Sequence, residues 1–273
     1  MVLTLARGSG EGAVSAYQYA FIFFQLPYGL IAVSIMTAIL PDLSEAARAH
    51  DVIAFREKFR EGLAVLLTFL LPAAGAYLFL GEPLIELLLQ RGSFTAEDTA
   101  ATARMLAGFS LGLPFFAVFL YCVRAFHARR NTRAPFWMNL FENTLNVVLV
   151  VPFIAIFGEP GLSLAYSAAY VVAAIIAVVV LNRHVRHTIT WRGLTIFIRG
   201  FVVAALVVTV SAVVAWWLRN GTDAGAVLEI LVTLAVAVPV FGFSTWVLRP
   251  HGFEDAIDTF TLGVRRRTGR TRR

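Results

Sequence analysis

Seven long apolar runs dominate this sequence and limit what it can become. The hydrocarbon layer of a bilayer is about 30 Å thick, so a helix needs roughly 20 apolar residues to cross it. Runs of that kind occur at about 14–40, 62–80, 105–123, 135–157, 161–181, 195–218 and 225–248. They are continuous rather than alternating, which excludes a membrane β-barrel. Composition agrees, with 59% hydrophobic and 15% charged residues, whereas soluble domains are about half apolar and a quarter charged. The expected fold is all-α, a polytopic transmembrane helical bundle of about seven spans.

The charges sort by loop. Arg48, Arg56, Lys58 and Arg60 fall between the first two runs, and Arg124, Arg129, Arg130 and Arg133 between the third and fourth. Arg183, Arg186 and Arg192 follow the fifth run, and the tail reads "RRRTGRTRR". The alternate loops carry few basic residues. Cytoplasmic loops collect Lys and Arg, so the C-terminus is expected in the cytoplasm and the N-terminus outside. The net charge of +6 therefore points to membrane lipids, with headgroups as the contact of the tail, and not to nucleic acid. An outside N-terminus follows simply if an odd number of spans precedes this chain. Residues 1–13 then read as the external stub of a preceding span, and 249–273 as a basic cytoplasmic tail.

Chemistry of the enzymatic kind has no signature here. The sole cysteine, Cys122, sits in an apolar run, and no metal-binding cluster, nucleophile elbow, phosphate loop or paired carboxylate motif occurs. The expectation is a protein that is not an enzyme and holds no organic cofactor. Two connections look structured. The 41–61 segment mixes charged and apolar residues as an amphipathic cytoplasmic helix would. In the second, Gly92 stops one helix while Thr95 and Asp98 form a capping box for the next.

Polar and helix-breaking residues inside the runs are the candidate machinery. Pro27, Pro72, Pro114, Pro152 and Pro239 each remove a helical hydrogen bond. In "QLPYG", Gln25 adds an amide beside Pro27 and Gly29, so freed carbonyls and an amide are expected to face a cavity. Pro27, Gly29 and Pro114 are the candidate hinges. In the fourth run Asn139, Glu142, Asn143 and Asn146 follow i, i+3, i+4, i+7 and share one helix face. A carboxylate there costs about 2.5–3.5 kcal/mol on insertion scales. That face either lines a cavity that coordinates an ion, or Glu142 snorkels to the near membrane surface while the asparagines bond neighbouring helices. Arg124, near a cytoplasmic end, is placed to snorkel or to meet an anionic headgroup.

Several stretches together resemble the MurJ/MviN family of lipid II flippases, within the multidrug/oligosaccharidyl-lipid/polysaccharide exporter superfamily. They are "VSAYQYAFIFFQLPYGLIAVSIMTAILPDLSEAA" at 14–47, "LLQRGSFTAEDTAATARMLAGFSLGLP" at 88–114, "VRAFHARRNTRAP" at 123–135 and the looser "EPGLSLAYS" at 159–167. Beyond residue 185 only hydropathy supports the likeness. The resemblance implies a fourteen-span, two-lobed flippase of which this chain supplies the eighth to fourteenth spans. Residues 14–185 would form the C-lobe bundle, and 186–248 the last two spans with a groove for a lipid tail.

It also implies the cargo and the partners. The cargo would be the undecaprenyl-linked peptidoglycan precursor, carried across the cell membrane by alternating access. The partners would be the N-terminal half of the transporter and proteins of cell-wall synthesis. Ser15 matches a polar position of the family cavity. The family often has an acidic–arginine pair where this chain has Phe21 and Ile22, and Glu where it has Gln25. Glu142 and Asn146 keep the spacing of an Asn–Asp pair implied to bind sodium, with residue types exchanged. A sodium ion or the membrane potential is then the expected driving force. Alternatives are a flippase for another polyprenyl-linked glycan, a drug exporter, or a membrane scaffold without transport.

Overall fold

The computed structural model describes residues 12–185, 202, 205–214, 216–217 and 226–248. The expected N-terminal stub, except for Gly12 and Ala13, and the basic tail lie outside these residues, as does much of the 195–218 span. In order, α1 spans Ala13–Pro27 and runs through a π-helical turn, Tyr28–Ala32, into α2, Val33–Arg48. Then follow α3 (Val52–Leu89), α4 (Ala96–Ala128), α5 (Arg133–Phe157) and α6 (Gly161–His184). The helix Ala205–Val214 is α7, and Ala226–Leu248 is α8. Among the described residues six helical stretches, counting α1 through α2 as one, are long and apolar enough to cross a membrane.

The composite helix α1–α2 owes its shape to Pro27. Proline has no N–H, so the carbonyl of Phe23, four residues earlier, loses its helical donor. The Tyr77 hydroxyl of α3 donates to that carbonyl at 2.6 Å. The freed group is thus satisfied inside the bundle, not offered to a cavity as the sequence had suggested. One turn later the amide of Val33 donates to the Tyr28 carbonyl, the i→i−5 bond of a π-turn.

That turn holds one extra residue and resets the buried face. Counting about 3.6 residues per turn onward from buried Ala20 would bury positions near Ile31, Ala38, Asp42 and Glu45. The residues that pack inward are each one later: Ala32, Ile39, Leu43 and Ala46. Asp42 and Glu45 stay exposed as a result. Burying either carboxylate without a partner would cost several kcal/mol.

Turns between helices follow local chemistry. His50 takes a left-handed φ of 54°, and the Asp51 side chain caps α3 by accepting from the amides of Ile53 and Ala54. No separate amphipathic helix forms over 41–61: α2 extends to Arg48 and α3 begins at Val52, because each charged segment continues the helix beside it. Gly92 has φ 63°, and Thr95 and Asp98 form the capping box that starts α4.

At the centre lies α4, packed against α1, α3 and α6, while α5 sits on α6 and α8 on α3. The α4–α6 seam is set by small residues. Gly108 and Gly112 lie against Ser163 and Ser167, each pair spaced i, i+4, which lets two membrane helices approach closely. The Ser167 hydroxyl donates across the seam to the Gly108 carbonyl at 2.6 Å. Gly75 of α3 similarly receives Val208 of α7, and Phe69 meets Phe241 of α8 at 5.5 Å between ring centroids.

Candidate functional site

Two polar regions within the spans stand out, and they differ in kind. Along α1 the exposed positions Ser15, Gln18, Ile22, Gln25 and Gly29 advance three or four residues at a time and form one stripe. Among the described residues the side chains of Ser15, Gln18 and Gln25 have no hydrogen-bond partner. Past the π-turn the stripe continues through exposed Ser34 and Thr37, whose hydroxyls donate back to Leu30 and Val33. Tyr19, Leu26 and Leu30 flank it as exposed apolar surface.

The second region is enclosed. Glu142 of α5 is 2% exposed, turned into the contact with α6. Tyr170 of α6 lies beside its carboxyl, and the Tyr166 ring meets that of Tyr170 at 4.7 Å between centroids. Glu142 is thus enclosed between α5 and α6. Its stripe divides: Asn139 and Asn146 are half-buried and Asn143 is exposed. Asn139 and Asn143 donate to the carbonyls of Pro135 and Asn139 on their own helix, each at 2.8 Å, rather than to neighbouring helices. The Asn146 side-chain oxygen is buried without a donor.

Aromatic rings connect this acid to the π-turn. Tyr170 meets Phe116 at 4.9 Å, and Phe116 meets Tyr28, the first residue of that turn, at 4.8 Å. Tyr166 is ringed by Phe21, Phe24 and Phe109 at 5.4–5.8 Å. Sequence reading missed Tyr77, Tyr166 and Tyr170. The spacing of Tyr166 and Tyr170, four residues apart in the "SLAYS" helix, was the available signal.

The structure does not bring the predicted residues into one constellation. Ser15 and Gln25 share the exposed stripe, Glu142 and Asn146 the enclosed contact, and Arg124 is half-buried near the end of α4. Of the candidate hinges, Pro27 and Gly29 coincide with the change of helix type, whereas Pro114 lies buried in an uninterrupted α4.

Among the described residues no group of three or more His, Cys, Asp or Glu gathers, so a multi-carboxylate metal centre is not built there. Two side-chain oxygens one helical turn apart on α5 remain. Glu142 supplies a carboxylate, and Asn146 supplies a buried carbonyl oxygen lacking any donor.

Comparison with known proteins carries the likeness past residue 185, where the sequence had offered hydropathy alone. The profile of the family "Lipid II flippase MurJ" matches residues 1–236. The lipid II flippase MurJ of Thermosipho africanus is 34% identical over 158 residues, covering 58% of this chain and 32% of that protein. A probable lipid II flippase MurJ of Rhizobium meliloti is 30% identical over 237 residues, covering 84% and 43%. A solved structure titled "Lipid II flippase MurJ, inward closed conformation" superposes with a TM-score of 0.70 at 28% identity, covering 91% of this chain and 49% of that one. The chain thus spans about a third to a half of the length of these relatives. It is a multi-pass membrane protein and belongs to the MurJ lipid II flippase family.

Proposed function

We propose that this chain works as part of a transporter that moves lipid II across the cytoplasmic membrane by alternating access, with no bond of the cargo made or broken. One observation carries the transport reading. A helix long enough to cross the membrane leaves Ser15, Gln18 and Gln25 exposed and without partners among the described residues. In hydrocarbon such groups cost several kcal/mol each, so this side of α1 serves a water-filled path. The cargo comes from the names of the relatives.

Glu142 and Asn146 would hold a sodium ion, or Glu142 would sense the membrane potential, and either supplies the driving force. An ion drives the cycle only through unequal affinity for the inward-open and outward-open states. The ring path Tyr170–Phe116–Tyr28 joins that acid to the π-turn, where α1–α2 would bend at Pro27 and Gly29. The topology that fits the loop charges has the N-terminal side of α1 external and the C-terminus cytoplasmic.

The test uses the full-length protein carrying this sequence, with Glu142→Ala and Asn146→Ala combined. Lipid II translocation is expected to fail in reconstituted vesicles at normal membrane levels of protein. Full translocation by the double variant removes the ion assignment.

A further inference from the structure

The stripe on α1–α2 is continuous only because the π-turn carries one residue more than an α-helix, which keeps Ser34 and Thr37 exposed in line with Ser15, Gln18 and Gln25. No lysine or arginine occurs from residue 8 to residue 47, so nothing positive stands on the stripe before Arg48. At that end the exposed charges are acidic, Asp42 and Glu45.

Diphosphate groups are held by guanidinium or ammonium donors, which match their charge and geometry. This wall has none, and its acidic end repels anions. What it offers is neutral: two amides, each both donor and acceptor, and hydroxyl oxygens. The Ser34 and Thr37 hydrogens are committed to Leu30 and Val33, so these two face outward as acceptors.

We infer that the Ser15–Gln18–Gln25–Ser34–Thr37 stripe is a binding track for the uncharged saccharide part of the lipid-linked headgroup, and that the diphosphate is held elsewhere. Sugar hydroxyls and N-acetyl amides need this mixture of donors and acceptors. This inference rests on the proposed cargo class and adds which part of the cargo this wall reads.

The test compares three lipids on the full-length protein in detergent by native mass spectrometry: lipid II, the same lipid-linked disaccharide without its peptide, which should behave as lipid II does, and undecaprenyl diphosphate, which lacks both saccharide and peptide. The variant is Gln18→Ala with Gln25→Ala. Both residues are exposed and unpartnered, so folding should survive, and a melting curve checks that. Loss of two neutral hydrogen bonds is expected to weaken lipid II binding roughly tenfold and to leave undecaprenyl diphosphate binding unchanged. An equal loss for lipid II and undecaprenyl diphosphate, or none for lipid II or its peptide-free form, overturns the track. Wild-type protein that binds none of the three overturns the cargo assignment above, and this inference with it.

Discussion

The α4–α6 seam and the outer stripe of α1–α2 both place polar groups inside apolar helices, yet they treat them in opposite ways. At the seam Ser167 is buried and spends its hydrogen on Gly108 across a gap that glycine alone leaves open. On the stripe Gln18 and Gln25 are exposed and spend nothing on the protein. Polarity that is closed upon itself holds helices together. Polarity left open faces water or a cargo. The difference separates scaffold from path without any knowledge of where the membrane lies.

The comparison breaks most severely through helix register. Inserting one alanine after Ala32 would carry Ser34, Asp42 and Glu45 into positions now filled by Ile35, Leu43 and Ala46. Burying two carboxylates there costs several kcal/mol, and the protein should fail to accumulate, as read by membrane-fraction immunoblot. Deleting Leu30 instead removes the extra residue, joins α1 to α2 as one α-helix and keeps both faces, so accumulation should persist.

A pair of glycine substitutions gives a smaller and opposite-signed contrast. At Gly112 a Cβ would sit 2.8 Å from the Ser167 backbone, so Gly112→Ala should destabilise by about 1–3 kcal/mol. At Gly29 nothing lies within 4 Å, and Gly29→Ala should be neutral or stabilising by up to about 1 kcal/mol. Thermal unfolding in detergent measures both. Tyr77→Phe strips the Phe23 carbonyl of the donor that replaces its helical one and should cost about 1–3 kcal/mol, comparable with Gly112→Ala and towards the lower end if α1 tilts to admit water.

Much of the scaffold was legible in residue order. Among the described residues, span positions followed from apolar run length, and the start of α4 from Thr95 and Asp98. Other features needed the third dimension. "GFSLG" and "SLAYS" each show small residues at i, i+4, but nothing in either says that it meets the other. Pro27 announced a missing donor without revealing that Tyr77, fifty residues on, would replace it. The fourth-run asparagines looked like bridges between helices, whereas amides can equally reach the carbonyl one turn back on their own helix, as Asn139 and Asn143 do. Pro114 looked like Pro27, yet α4 is packed on three sides and stays unbroken there.

The most direct measurement is thiol accessibility along the stripe in the full-length protein in intact membranes. Cys122 is the sole cysteine of this chain and is fully buried, so introduced thiols report cleanly once any cysteine outside it is replaced. Charged maleimide reagents react with thiols that reach water. Cysteines at Ser15, Gln18, Gln25, Ser34 and Thr37 should be labelled, with Leu26, Leu30 and Ser167 protected. Protection along the whole stripe, or labelling of Leu26 and Leu30 to the same extent, would contradict a water-filled path on this side of α1–α2.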